Sequence, residues 1–345
     1  MKVAITTLYD YFNHGNRLQN YALEQTLKKL GCEVETYALA SKKYLPFCFR
    51  LACAFPIMPV TRRLARSRKF GKTDLNSKNI TSISLKKLCK NDLDFAIIGS
   101  DQVFNPAYIV DLDKTFLKFV SPEKRIAYSA SFGISSLPKK LEQPFKEGLN
   151  EIKHISIREN AGAKIVEDLT GRKVPVVADP TFLLERHEWE EFAESAYLKN
   201  APKEKYILTY FLLQKKEYKQ KVKEISKEFG LKVININSFF DKYCSATPKE
   251  FMQLLKNAEL VCTNSFHGHA LSILMEKPFI SFPSVKGTGS RIKTLLNITG
   301  LEGRNCQTLK KEDYFNLDYT MTRQKVKAER QKGLEFLKTA LLLKD

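Results

Sequence analysis

The stretch 260–282, LVCTNSFHGHALSILMEKPFISF, decides the reading of the fold. An apolar run, Leu260–Cys262, leads into a polar turn, Thr263-Asn264-Ser265, and then Phe266-His267-Gly268-His269. Ala270, Leu271, Ile273, Leu274 and Met275 follow on one side of a helix, and Pro278–Phe282 is a second apolar run. In order this is strand, turn, helix, strand, the unit of a parallel sheet. His267 therefore falls at the carboxyl end of a strand and near the amino end of a helix. Open α/β sheets bind ligands at that edge, and a helix start offers free N–H groups to an anion. A histidine there is equally a structural histidine, and position alone leaves both readings open.

The same rhythm opens the chain. Val3–Thr7 reads as a strand, Asn13-His14-Gly15-Asn16-Arg17 as a polar turn, Leu18–Leu30 as a helix with Gly31 behind it, and Cys32–Tyr37 as a second strand. The turn holds one glycine and no G-x-G-x-x-G, so it is no dinucleotide fingerprint. Asn13, Asn16, Arg17 and Gln19 nevertheless gather polar groups at one strand's carboxyl end. Phe95–Ile98 is a strand ending at Gly99-Ser100-Asp101-Gln102, again polar. Arg125–Ser131, Ile155–Ile157 and Val174–Val177 read as further strands, and Pro138–Lys153 and Glu159–Leu169 as helices. Arg158 repeats the theme of a polar group where a strand meets a helix. It either grips a carboxylate or phosphate bidentately or pairs with Glu159 or another nearby acid.

Beyond a linker helix over Glu185–Tyr197, a second series begins: strand Tyr206–Leu213, helix Lys215–Phe229, strand Lys232–Ile236, helix Pro248–Asn257, and then the opening stretch. The loop KGTGSR presents Lys286 and Arg291, Ile292–Thr299 reads as a helix, and Thr322–Leu342 as a basic amphipathic one. The expectation is an α/β chain: one doubly wound domain over 1–183, a second α/β domain over 184–320, and a C-terminal helix over 321–345.

Composition bounds the partners. The chain has 345 residues and a formal net charge of +19, so nucleic acid, an anionic membrane or a phosphorylated substrate must be considered. Residues 41–90 carry thirteen Lys and Arg against one acid, Asp74, and interleave them with Tyr44, Leu45, Phe47, Phe49, Phe55 and Ile57. That mixture suits an anionic membrane surface, a nucleic-acid groove or an insertion packed on its domain. Nucleic acid is disfavoured, since the aromatic-interleaved motifs of common RNA modules are missing. The seven cysteines form no C-x-x-C pair, which argues against zinc and fits a reducing setting. The pairs Asp92/Asp94 and Asp111/Asp113 have D-x-D spacing, but the pattern is short and common, and no metal is expected. The start, MKVAITTLYD, does not read as a signal peptide, and no run approaches a membrane span. A cytoplasmic protein is expected, with the inner leaflet as a surface on which it could sit.

Several segments together resemble the polysaccharide pyruvyl transferase family: NHGNRLQNYAL at 13–23, DFAIIGSDQVFN at 94–105, RIAYSASFG at 125–133, SIREN at 156–160, VADPTFLL at 177–184, SFHGHALS at 265–272 and SRI at 290–292. The resemblance runs to about residue 305. It implies two Rossmann-like domains facing across a cleft, as in GT-B glycosyltransferases. It implies transfer of the enolpyruvyl part of phosphoenolpyruvate to a sugar hydroxyl pair, giving a cyclic pyruvate ketal and phosphate, with no cofactor. Carried over residue by residue, Arg158 and His267 belong to the donor site. Many relatives carry Arg two residues before that His, where this chain has Ser265; Arg291 and Lys286 are the expected substitutes. The sugar, borne by a polysaccharide or a lipid-diphosphate precursor, is expected against Asn13, Asn16, Arg17, Gln19, Asp101 and Gln102, with Asp101 as base. A nucleotide-sugar glycosyltransferase on the same fold is the competing reading.

Overall fold

The computed structural model describes residues 1–10, 12–39, 59–75, 77–79, 92–109, 111–284 and 289–343. Lys286 and the apolar residues of 44–57 lie outside the described residues. The described residues fall into two compact units, 1–39, 71–183 and 327–343 in the first and 59–70 and 184–326 in the second.

In the first unit the strands are β1 (Lys2–Leu8), β2 (Glu33–Leu39), β3 (Ser77–Asn79), β4 (Phe95–Ile98), β5 (Arg125–Ala130) and β6 (His154–Ile157). They form one parallel sheet in the order β3-β2-β1-β4-β5-β6. Val174–Val177, expected as a strand, contributes a single bridge, Ile157 to Val176. Alternate residues of β1 point to opposite faces. Val3 and Ile5 pack with Leu23 and Leu27 of α1 (His14–Lys29), with Leu337 and Ala340 of α11 (Thr320–Ala340), and with Leu341 just past its end. Ala4 packs on the other side with Phe104, Phe116, Phe132 and Phe145, a set of mutually stacked and edge-on rings. Both faces are therefore covered, which is why these strands read as continuous apolar runs.

The helix α1 begins earlier than its apolar periodicity indicates. Asn13 caps it, accepting from the Asn16 backbone N–H at 3.3 Å. The residues expected as a free turn, His14 to Arg17, are its first turn. The helices α4 (Lys139–Asn150) and α5 (Asn160–Thr170) complete the covering layer, and α3 (Leu112–Thr115) is a single turn capped by Asp111. The helix α2 (Pro59–Thr73) lies in the basic segment; to Phe70 it counts with the second unit. Its Arg63 and Leu64 are buried.

The second unit holds β7 (Tyr206–Tyr210), β8 (Lys232–Asn235), β9 (Leu260–Thr263) and β10 (Phe279–Ser281), parallel and in the order β10-β9-β7-β8. Helices α6 (Arg186–Glu194), α7 (Lys216–Phe229), α8 (Pro248–Lys256), α9 (Phe266–Leu274) and α10 (Gly289–Thr299) pack around it. The start of α8 carries a full capping box, Thr247 with Glu250, and proline at its first position. Every residue of α9 is buried, including its two histidines.

Strand order locates the crevices. In the first unit the chain winds from β1 out to β2 and β3 on one side, then to β4, β5 and β6 on the other. In the second it winds from β7 to β8 on one side and to β9 and β10 on the other. The points of reversal lie between β1 and β4, and between β7 and β9, and ligands bind outside the carboxyl ends of such strands. Among the described residues no helix is long and apolar enough to cross a membrane.

Candidate functional site

At the β1/β4 reversal, Asp101 is the centre. It follows β4 with φ of +71°, a left-handed conformation that costs a non-glycine residue on the order of 1 kcal/mol or more. Tertiary bonds hold it there. Its carbonyl accepts from the N–H groups of Val103 and Ser131. Its carboxylate accepts from Asn16 Nδ2 at 2.8 Å and from the Arg158 guanidinium at 3.4 Å. Asn16 is aimed by its own Oδ1, which accepts from the Asp10 N–H at 2.9 Å. The Asp101 side chain keeps about 10% of its surface exposed while that of Arg158 keeps 1%. The carboxylate thus reaches solvent and the cation behind it does not.

Arg158 is held from behind by Asp179, whose Oδ2 accepts from its guanidinium at 2.8 Å. Asp179 in turn accepts from the Thr181 N–H and hydroxyl, and its Oδ2 lies 3.2 Å from Ser100 Oγ. Burial works against the Arg158 charge, but Asp179, Asp101 and Glu159 outweigh it, and its pKa is raised. Glu159 is turned elsewhere; its Oε1 accepts from the Ser131 hydroxyl and from the N–H groups of Phe132 and Gly133. The neighbouring acids that pair with Arg158 are Asp179 and Asp101, and the former carries no expectation from the sequence. A polar residue after the apolar run at 174–177 was the available signal.

The other residues expected on the acceptor side divide. Asn13 is half-buried, and Gln102, also half-buried, accepts from Asn105 Nδ2 at 2.8 Å. Arg17 is buried, with its guanidinium carbon 3.7 Å from the centroid of the Tyr9 ring, a cation–π contact. Gln19 is buried and donates to Thr7 Oγ1 and the Asn16 carbonyl, which ties α1 to the end of β1. The structure brings Asn16 and Arg158 onto the Asp101 carboxylate and bonds Gln19 to the Asn16 backbone.

At the β7/β9 reversal a polar staple forms. Thr263 Oγ1 donates to the Tyr210 carbonyl at 2.7 Å and accepts from the Ser265 N–H. Asn264 accepts from the Leu212 N–H and donates to the Leu213 carbonyl, so the two strand-ending loops are tied together. Ser265 caps α9, its hydroxyl accepting from the Gly268 N–H. Only glycine fits at 268, because a Cβ there would stand 2.1 Å from Thr263 Oγ1. His267 lies in the first turn of α9 and is 3% exposed. His269, two residues further from the cap, donates from Nδ1 to the Ser265 carbonyl at 2.7 Å. Burial pushes its pKa down to about 4, against a partly opposing contribution from that bond, so it is neutral at pH 7. Arg291 is buried in the first turn of α10. Beside that turn a cavity of about 300 Å³ opens at the end of β10, lined by Phe282, Ser284, Gly289, Ile292 and Lys293 among others.

Both D-x-D pairs are placed apart from these clusters. Asp94 accepts from the Lys2 N–H, and Asp111 caps α3. Among the described residues no group of three or more His, Cys, Asp or Glu is arranged to hold a metal ion.

A model of the family described as Polysaccharide pyruvyl transferase matches residues 13–284. No curated protein sequence matches the chain. Solved structures share its fold at low identity. A protein described as a UDP-N-acetylglucosamine 2-epimerase, from Listeria monocytogenes, is 12% identical with a TM-score of 0.58, over 100% of this chain and 97% of that one. UDP-GlcNAc 2-epimerase from Methanocaldococcus jannaschii is 14% identical with a TM-score of 0.53, over 98% and 100%. Arabidopsis thaliana UGT89C1, complexed with UDP, is 10% identical with a TM-score of 0.51, over 99% and 99%. These likenesses establish the expected α/β fold of GT-B type and nothing about the ligand.

Proposed function

The chain belongs to the polysaccharide pyruvyl transferase family, and on that premise we propose that it moves the enolpyruvyl group of phosphoenolpyruvate onto two hydroxyls of a sugar. The products are a cyclic pyruvate ketal and phosphate. The observation that carries the reading is the span of the family match, 13–284, which takes in both reversal-point clusters. The acceptor is assigned to the first unit and the donor to the second. The acceptor sugar is taken to be part of a polysaccharide or of a lipid-diphosphate precursor, and no cofactor or metal is invoked.

The proposed chemistry assigns a role to each group. Asp101 takes the proton of the first hydroxyl, with Asn16 and Arg158 fixing the carboxylate. His267 gives a proton to carbon 3 of the donor, a task suited to imidazole near neutral pH. The sugar oxygen bonds carbon 2. The bond from carbon 2 to the phosphate oxygen then breaks, and phosphate leaves with the electron pair. The second hydroxyl closes on carbon 2 and its proton passes to the leaving phosphate. Arg291 and the amino ends of α9 and α10 supply positive potential for the donor's carboxylate and phosphate. Lys286 and Ser265 are kept as donor-side residues. Arg158, expected on the donor, is reassigned to positioning Asp101, because its guanidinium is buried against two carboxylates.

The test is calorimetric titration of the parent with phosphoenolpyruvate and, separately, with a UDP-sugar, followed by phosphate release in the presence of sugar acceptors. Phosphoenolpyruvate binding that weakens roughly tenfold or more in Arg291→Ala, and phosphate release lost in Asp101→Asn, are the expected results. Binding of the UDP-sugar alone would overturn the donor and select a nucleotide-sugar glycosyltransferase.

A further inference from the structure

Two adjacent phenylalanines stand out of the second unit where β8 ends. Phe239 is 54% exposed and Phe240 102%. Isolated exposed apolar residues are ordinary, but two neighbouring rings held in water by a braced loop are not. The brace is Asp241: its Oδ2 accepts from the Asn235 N–H at 2.7 Å and its Oδ1 from the Tyr243 N–H at 2.9 Å. Backbone bonds from Ser238 to Asn235, Asp241 to Ser238, Cys244 to Asp241 and Ala246 to Tyr243 wind the loop into successive turns. Leu212, 52% exposed, lies beside it, since Asn237 Nδ2 donates to the Phe211 carbonyl.

The surroundings are cationic. Lys242 is exposed two residues on. The helix α2 is bolted to this loop by Arg63, which donates to the Ile236 carbonyl and Asn237 Oδ1, and by Arg66, which donates to the Ser245 carbonyl and Glu250. Arg63 is buried, Arg66 is part-exposed with its guanidinium on Glu250, and Arg62 and Lys69 of the same helix are exposed. On the other flank, Tyr243 donates to the Asn200 carbonyl, which sets the exposed Lys199 and Lys203 nearby. Asp241, the acid within the loop, has both oxygens engaged in bracing it.

We propose that Phe239 and Phe240, with these cations around them, form an interfacial anchor that docks the second unit on an anionic lipid bilayer. Aromatic rings seat at the boundary between headgroups and acyl chains, and Lys and Arg at the same level meet the lipid phosphates. The rigid loop has little conformational freedom to lose on docking. The anchor sits on the same strand-end edge as the His267 turn, separated from it by β7. The inference uses neither the donor nor the acceptor assigned above.

The test is flotation of the full chain with phosphatidylcholine vesicles and with vesicles containing phosphatidylglycerol, for the parent, F240W and the double variant Phe239→Ser/Phe240→Ser. The native chain has one Trp, Trp189, and it is fully buried, so lipids brominated near the headgroup report the indole introduced by F240W. The expected results are binding to the anionic vesicles alone, quenching of F240W by the brominated lipid, and binding at least roughly tenfold weaker in the double variant. An unchanged thermal midpoint in the double variant guards against misfolding. Failure of the parent to float, vesicle binding unchanged in the double variant, or F240W floating without quenching would each overturn the anchor. So would intact vesicle binding in a double variant that has lost sugar-acceptor turnover, which would make the rings a sugar platform. The floating of the parent is read without any substrate, so it stands or falls apart from the pyruvyl reading.

Discussion

Replacing Arg158 by Ala separates a structural cation from a ligand-binding one. The guanidinium is 2.8 Å from Asp179 Oδ2, and the two side chains are 1% and 0% exposed. Removing the cation leaves the Asp179 carboxylate in the interior without its guanidinium partner, while the bonds from Ser100 and Thr181 remain. Breaking a buried pair in this way costs about 3–5 kcal/mol. The Asp101 contact is longer, at 3.4 Å, and its carboxylate reaches water, so it adds little. For a unit of this size each kcal/mol lowers the melting midpoint by about 2–4 °C, so Arg158→Ala should melt roughly 6–20 °C below the parent. Thermal unfolding followed by circular dichroism at pH 7 reads this. A double-mutant cycle with Asp179→Leu should show a coupling of at least about 2 kcal/mol, because the second change removes the stranded charge. A variant within about 1 kcal/mol of the parent that binds phosphoenolpyruvate tenfold more weakly would refute the reasoning and return Arg158 to the donor site.

Three further outcomes follow from buried groups. His269 is neutral in the fold with a pKa of about 4, below the ordinary value near 6.5. The unfolded chain therefore takes up more protons between those values, and stability present above pH 6.5 should fall by roughly 3 kcal/mol as pH drops to 4; His269→Asn, which keeps an N–H for the Ser265 carbonyl, should flatten that part of a urea-midpoint profile. Arg304 is buried and donates to the carbonyls of Phe279, Asp313 and Tyr314, so Arg304→Met should cost at least about 3 kcal/mol in urea unfolding, and a loss under 1 kcal/mol would contradict the geometry. Gly148→Ala would set a Cβ 2.4 Å from the Phe116 ring, which neighbouring rings hold in place, and should cost about 1–3 kcal/mol; a variant as stable as the parent would show that the ring set yields.

Much of this architecture was legible because buried parallel strands leave unbroken apolar runs. Phe95–Ile98 begins and ends where its run does, and Leu260–Thr263 extends its run by one residue. Val174–Val177 has the same apolar character, yet it adds only one bridge at the sheet's edge, and a local pattern carries no information on whether a partner strand is in register. The polar turn at 13–17 became the first turn of α1 because Asn13 caps it, and polar residues suit both a turn and a helix start. The basic run from Arg62 to Lys69 reads as a solvated or lipid-facing segment, whereas Arg63 and Arg66 point at backbone carbonyls and Glu250 from 170 or more residues away. At the candidate site the sequence pointed to Asp101, Asn16 and Arg158 as separate polar groups at strand ends. That they meet, and that Asp179 holds Arg158 from behind, depends on strand order, which no single stretch encodes.

The covering of β1 bears on how the protein is made. Val3 and Ile5 share their core with Leu337 and Ala340 of α11 and with Leu341 just past it. On a ribosome adding about 5–20 residues per second, the roughly 140 residues of 184–326 separate the two parts of the first unit by on the order of 10–30 s. For that interval α1 alone covers this face of the nascent sheet, and the apolar surface that Leu337 and Ala340 later bury is open to solvent or to a chaperone. A message truncated before α11 would yield a polypeptide with its sites encoded but with that face covered by α1 alone and part of its apolar surface left exposed.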